Sequence, residues 1–434
     1  MKVTEALKKY RSQLGDSLWS IGGLVLMNAI AQIALYPFLA KQLGEVGYGE
    51  MQYLLAYINI VTVSVGIAAN YARMTSPAGE RLQYNGNYNV FLLLVALLGI
   101  PGALLVRRFS GVDMDMPTTV CYYGLFVAML FRYYADVAYK LTLNYRLYFV
   151  YYGLIGVGYV GGVFLFRATG VWPLAILPGE ALGVLFAYTV GPTLRKKPFS
   201  LSPAWQRAWR AILILCVAES IPNVILNADR LLLKWLIGAS AVTIYYLATL
   251  VGKTMSLVST PLNGVLIGYL ARYEGKLTRR IMRIVLLASV AIIVLATGVC
   301  VGGSYLVLLW LYPDELDAVR PYLFVGSLAQ VFYFTTNVVA TVLIRFAKKI
   351  YQVVINAAFG VCFLGLGIPV TLRFGIIGFA VSVLIAGVVR WLTAVAIGYL
   401  HAFRHEKDPL PERDADEAKT SEETPDRKCK EDRP

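Results

Sequence analysis

Charge is scarce in this chain. Of its 434 residues, 15% are charged and 58% are hydrophobic, whereas a soluble domain carries about 25% charged residues interleaved with apolar ones. Histidine is almost missing, with His401 and His405 near the C-terminus and none elsewhere. The five cysteines form no CxxC pair: Cys121, Cys216, Cys300 and Cys362 sit in apolar segments and Cys429 in the tail. That usage argues against a disulfide framework and against a metal centre. There is no glycine-rich phosphate loop and no carboxylate cluster, so neither nucleophilic nor metal-assisted catalysis is expected, and no cofactor. The first 16 residues contain charges and no small-residue cleavage site, so no removable signal peptide is read there.

Long apolar runs fill the space that charge leaves, and the mean hydropathy is +0.62. Each run is long enough to cross a hydrocarbon core of about 30 Å. Backbone amides in that core must pair within the segment, so the runs are helices. They predict an all-α integral membrane protein with about twelve spans, near 17–40, 50–72, 87–106, 118–140, 148–167, 171–191, 210–229, 241–269, 281–303, 320–344, 350–371 and 375–400. SYLVLLWLY, after the ninth span, reads as a re-entrant or interfacial piece.

The net charge of +14 is a topology signal. Lys and Arg concentrate in the N-terminus and in the loops after even-numbered spans, which places both termini in the cytoplasm of an inner-membrane protein. Basic residues spread over short loops make nucleic acid a poor partner. Residues 1–16 place Val3, Ala6, Leu7, Tyr10 and Leu14 at helical spacing beside Lys8, Lys9 and Arg11, as in a helix lying on membrane lipids. In 192–209, KKPFSLSPAWQRAWR reads as an amphipathic linker, with Ser202 as helix cap, Pro203 in the first turn, and Trp205 and Trp209 as interfacial anchors. Residues 401–434 form a charged tail too poor in large apolar residues to bury a core.

Residues 28–72 and 222–267 look like copies offset by 194 positions. The turn Leu43-Gly44 falls on Ile237-Gly238, and Asn59, Thr62 and Gly66 fall on Lys253, Ser256 and Thr260. An even number of crossings separates the copies, so two six-helix lobes share one orientation: 17–191 and 210–400. Parallel repeats commonly enclose a substrate path.

Polar residues recur every three to four positions within several spans: Asn59, Thr62, Asn70 and Arg73; Glu219, Asn223, Asn227 and Arg230; Lys253, Ser256, Thr260 and Asn263; Arg132, Asp136 and Lys140. An ionised group facing lipid costs at least ~2.5 kcal/mol, so these stripes face other helices or a wet cavity. Interhelical hydrogen bonding accounts equally well for the Asn, Ser and Thr positions. Arg73, Arg230 and Lys140, near helix ends, are expected to snorkel to the headgroups, and Arg132 can pair with Asp136 one turn away. Glu180, Glu219 and Lys253 lie nearest mid-membrane with no neutralising partner nearby in sequence, which favours a cavity role. Arg132, Lys253 and Arg390 are the candidates for neutralising a pyrophosphate; Asn59, Asn70, Asn223 and Asn227 suit sugar hydroxyls. Glu219, Glu180 and Asp136 are candidates for coupling to H+ or Na+.

Three stretches carry a family resemblance. YPFLAKQLGEVGYGEMQYLLAYI is similar to a pattern of Pro, Leu-Ala-Arg-x-Leu-Gly and Tyr-Gly, with Lys41 where Arg is usual. NADRLLLKWLIGASAVTIYYLAT matches at Asp229, Arg230, Leu233, Gly238, Tyr245 and Ala248, with Thr243 in place of Gly; LYPDELDAVRPYLFVGSLAQ has Pro313 in a glycine position. The sequence thus resembles the polysaccharide transporter family, the O-antigen and capsule flippases of the MOP exporter superfamily. That resemblance implies two MATE/MOP-like lobes around a cavity opening alternately to each side. It also implies a polyprenyl-pyrophosphate-linked oligosaccharide as substrate, moved to the outer leaflet, and association with other polysaccharide-assembly proteins. A MATE-like multidrug exporter is the nearest alternative, disfavoured by the buried basic residues. An integral-membrane glycan polymerase or ligase would need a sizeable loop outside, which the short loops deny.

Overall fold

The computed structural model describes residues 18–272, 277–347 and 350–406. The expectations for residues 1–16 and for the tail beyond 406 lie outside them, as do the side chains of Ser256, Thr260 and Asn263. Among the described residues the chain is helical and has no strand. Seven helical stretches are long and apolar enough to cross a membrane. Two of them, 18–75 and 350–403, are double spans broken at Gly44 and Gly375, where φ is +68° and +64°. A side chain at either position would strain the reversal. The chain is a multi-pass membrane protein.

Numbered by span, α1 covers 18–43 and α2 covers 45–75, followed by α3 (Gly86–Phe109), α4 (Met116–Ala135), α5 (Tyr145–Thr169) and α6 (Leu177–Val190). The second lobe has α7 (Trp205–Leu236), α8 (Ala239–Arg272), α9 (Arg279–Leu311), α10 (Leu323–Phe346), α11 (350–374) and α12 (376–406). The repeat's turn recurs in the backbone: Gly238, like Gly44, interrupts two spans at positive φ, +141°. SYLVLLWLY is not re-entrant; it continues α9 as far as Leu311. The short helical turns from Pro313 to Tyr322 then lead into α10.

Local chemistry sets the ends of the helices. Asp115 caps α4 by accepting the Thr118 N–H at 3.0 Å, and hydrogen bonds from Thr118 hold its carboxyl below the ordinary range. In α1 a π-turn, Ala31–Leu35, precedes Pro37, whose ring and missing N–H break the α-helical ladder.

The lobes meet along α7, which packs against α2, and at the Gly44 end of the bundle, where α8 reaches α2. There Thr243 donates to the Glu45 carbonyl at 2.6 Å and Lys234 pairs with Glu50 at 3.2 Å. Gly49 presses on Ala239 so closely that a Cβ would stand 2.0 Å from its carbonyl oxygen. The rings of Tyr48 and Tyr246 lie 6.0 Å apart just inside. The Gly44 end is sealed.

At the opposite end, the segment joining the lobes is pinned to the start of α3. Asn85, Asn87 and Asn89 donate to the Leu194 carbonyl, the Ser202 hydroxyl and the Pro198 carbonyl at 2.8, 2.9 and 3.0 Å. Trp209 adds its indole N–H to the Asn87 carbonyl at 2.8 Å. Ser202 is therefore not the helix cap that its position suggests. Its hydroxyl and N–H are taken by Asn87, and α7 starts after Ala204 without a side-chain cap.

Candidate functional site

Below the seal lies a cavity of about 370 Å³, lined mainly by α1, α2, α4, α5 and α6 of the first lobe, with Arg230 and Tyr246 from the second. Amides reach it from α1 and α2: Asn28, Gln32, Gln52, Asn59 and Asn70. Tyrosines arrive from five helices, among them Tyr36, Tyr71, Tyr133, Tyr152 and Tyr159. The stripe seen in sequence on α2 therefore divides. Asn59 and Asn70 face the cavity, whereas Thr62 returns its hydroxyl to the Ile58 carbonyl at 2.8 Å.

Two ion pairs lie in the cavity, one between helices and one within a single turn. Arg132 of α4 reaches Glu180 of α6, Nε to Oε2 at 2.7 Å and Nη2 to Oε1 at 3.5 Å. Tyr159 of α5 donates to the same carboxylate at 2.5 Å, and the Arg132 guanidinium lies 3.8 Å from the centroid of the Tyr133 ring. The expected pairing of Arg132 with Asp136 does not form. Asp136 instead binds Lys140 at 3.0 Å, receives the Asn70 amide, and takes the Tyr148 and Tyr152 hydroxyls at 3.3 and 3.4 Å. A charge removed from water needs a partner and further hydrogen bonds to be tolerated; both carboxylates have them.

Arg230 is the exception. It does not snorkel: its guanidinium stands 4.9 Å from the Tyr246 ring centroid on the cavity wall, and no carboxylate among the described residues lies within ion-pair distance. Its Nε has no hydrogen-bond partner among the described residues, nor do Gln32 Oε1, Gln52 Nε2 and Asn70 Oδ1. Four donor or acceptor atoms on the cavity wall are thus uncommitted. Arg230 stands out in the sequence as part of the α7 stripe, but its place near the helix end hides this location.

The remaining candidates lie elsewhere. Lys253 pairs with Asp229 in a separate small pocket of the second lobe beside Tyr245, Gln330 and Tyr333. Arg390 is buried nearby, donating to the Tyr333 carbonyl and to Asn337 and Asn356 at 2.8 to 2.9 Å. Neither lines the main cavity. Asn223 and Asn227 bond back to the Glu219 and Asn223 carbonyls at 2.8 Å, and Asn223 also reaches Ser64 across the lobe boundary at 3.3 Å. Glu219 is half-buried on α7 and does not line the main cavity.

No protein-family model matches the chain, and none of the curated proteins matches its sequence. Solved structures do. Lipid II flippase MurJ in an inward closed conformation aligns over 90% of both chains, with a TM-score of 0.60 and 11% identity. An inward-facing multidrug resistance MATE family transporter of the MOP superfamily covers 91% of this chain and 96% of its own, at TM-score 0.59 and 13% identity. The chain has the MOP fold. A Vibrio cholerae MATE transporter repeats it over 94% of this chain and 99% of its own, at TM-score 0.56 and 14% identity. The MOP fold accounts for about twelve helices in this chain. Identities this low carry the architecture and leave the cargo to the chemistry of the cavity.

Proposed function

We propose that this protein flips a polyprenyl-pyrophosphate-linked oligosaccharide across the membrane by alternating access. The observation that carries the reading is Arg230, a cavity-lining cation with no carboxylate among the described residues within ion-pair distance. Both acids in the cavity are already committed to basic partners, so an incoming organic cation meets a net positive wall. A pyrophosphate meets a guanidinium able to bind it through paired N–H donors. The amides and tyrosines around it suit sugar hydroxyls and ring faces. With basic loops on the cytoplasmic side, the termini end faces the cytoplasm of the inner membrane and the sealed Gly44 end faces outward, so the cavity serves loading from inside. MurJ, a lipid II flippase with the same fold, supports this reading.

Purified protein in proteoliposomes should move defined polyprenyl-pyrophosphate-linked sugars between leaflets. Arg230→Gln should lower that rate at least tenfold, the loss of one charge-assisted contact of about 1.5–3 kcal/mol. Efflux of cationic dyes, with no movement of any lipid-linked sugar, would assign the protein to multidrug export instead.

A further inference from the structure

On the lipid-facing side of the first lobe a groove of about 210 Å³ runs between α1 and α5, walled by Ile30, Ala34 and Phe38 on one helix and by Val160, Val163 and Phe164 on the other. Ala34, Val160 and Phe164 are exposed, so the groove opens away from the bundle. From Ile30 to Phe38 it follows α1 for about 12 Å, at about 1.5 Å per residue. The two helices touch at both of its ends. Ile30 presses on Gly156, where a Cβ would stand 2.6 Å from its Cδ1, and Phe38 meets Phe166 edge-on at 6.0 Å. A second apolar groove, beside Tyr57, Val95 and Phe126 of α2, α3 and α4, shares no residue with the main cavity. The groove between α1 and α5 does: Tyr159 lines both, and its hydroxyl is turned to Glu180. Ala31 and Tyr36 line the cavity from the same stretch of α1. Toward the Gly44 end of the groove stands Arg167, exposed in the last turn of α5, its guanidinium 5.0 Å from the centroid of the Phe38 ring. No carboxylate among the described residues lies within ion-pair distance of it.

We propose that this groove holds the polyprenyl chain of the transported lipid in the outer half of the membrane, with its pyrophosphate on Arg167. The inference rests on the substrate and the orientation given above. Lipid tails are as apolar as the side chains of the groove, so no hydrophobic driving force selects its occupant. An empty groove forfeits dispersion contacts, so a chain fills it, and shape and head charge decide which. The groove runs as a single file between two helices and suits a lipid with one chain, whereas a phospholipid brings two. At its outer end Arg167 offers paired N–H donors to a pyrophosphate. Depth agrees with this reading. Both helices run toward the Gly44 end, and the groove occupies the later half of each. A lipid leaving the cavity at the Gly44 end thus meets partners for its tail and its head on the outside of the same lobe. The shared wall at Tyr159 places this station beside the cavity that the lipid leaves.

Photolabelling of the intact protein in nanodiscs, with a long-chain polyprenyl pyrophosphate carrying a diazirine in its isoprene chain, reads the site directly. Peptide mapping should place adducts on residues 30–38 and 159–164. Excess unlabelled polyprenyl pyrophosphate should reduce them at least tenfold, and the same excess of phosphatidylglycerol should leave them in place. Ala34→Trp, which fills the groove, should lower these adducts at least tenfold. Arg167→Gln should lower labelling by the pyrophosphate at least fivefold relative to labelling by the uncharged polyprenol with the same diazirine. An unchanged ratio would take the head off Arg167 and overturn the assignment. Adducts confined to other segments, or equal competition by phosphatidylglycerol, would overturn it in the wild type alone, with no variant required to fold. Flipping of lipid-linked sugars without adducts in the groove overturns the groove and leaves the flippase reading standing. Inactivity toward every lipid-linked sugar removes the substrate reading, and the occupant with it.

Discussion

Arg73→Leu should melt far below the wild type in detergent, with the loss centred on the segment that joins the two lobes. By its place at the end of α2, Arg73 should snorkel toward headgroups. It is instead 0% exposed, because the connecting segment folds over it. Its guanidinium donates to Asn85 Oδ1 and the Tyr134 hydroxyl at 2.6 Å, to the Thr193 carbonyl at 2.9 Å and to the Arg81 carbonyl at 3.0 Å. It also lies beside the stacked rings of Tyr88 and Tyr134, 5.6 and 5.8 Å from their centroids. Leucine can fill part of the volume but strands these acceptors, at about 1–3 kcal/mol for each left unpaired. The sum, discounted for relaxation, is about 4 kcal/mol, at the extreme of single substitutions. Arg73→Lys restores the charge without the fork and should fall between the two. Differential scanning fluorimetry measures the shift, and hydrogen exchange locates it. Unchanged protection across residues 192–197 in Arg73→Leu would show that the guanidinium is not what anchors this segment.

The second large effect belongs to the seal. Gly49→Leu should hold the Gly44 end open and bring transport below about a tenth of the wild-type rate. At this position a Cβ meets the Ala239 carbonyl oxygen at 2.0 Å and its carbon at 2.7 Å. Those are backbone atoms, which cannot rotate away as a side-chain tip can. Overpacking of this kind costs typically 1–3 kcal/mol. The penalty falls on the sealed state, so the open state gains up to about a hundredfold in relative population at 1.4 kcal/mol per factor of ten. A membrane-impermeant thiol reagent applied from the Gly44 side, acting on a cysteine introduced at Asn59 in a cysteine-free background, reports the change. Labelling should rise at least tenfold over the Gly49 parent. Labelling as slow as the parent's would mean that this contact is not part of the gate. Glu50→Gln should matter far less, because its pair with Lys234 is partly exposed and such pairs contribute about 0–1 kcal/mol.

The candidate site was legible in part, and the reasons differ by residue. Asn59, Asn70, Arg132, Asp136 and Glu180 were marked by polarity inside apolar runs, and all five line the main cavity. Lys253 and Arg390 carried the same mark but do not line that cavity: Lys253 pairs with Asp229, 5.9 Å from the centroid of the Tyr246 ring, and Arg390 donates to the Tyr333 carbonyl. Hydropathy registers that a charge is inside the membrane; it does not say which neighbour answers it. Arg230 was the converse case, read as a snorkelling end residue because position along the helix was visible and the cavity wall was not.

The sequence by itself determined that the chain is a bundle of membrane spans, how many there are, where the repeated turn at Gly44 and Gly238 falls, and which residues are too polar to face lipid. Each of these follows from sums over one contiguous segment, since a helix in hydrocarbon satisfies its own backbone and is selected by its own apolar content. Only the tertiary structure decided that Arg132 answers Glu180 across 48 residues, that Lys253 answers Asp229, and that Arg73 is roofed by a segment 120 residues away. Those pairings depend on which helix faces meet. Facing is fixed by packing among distant segments, and no local window contains it.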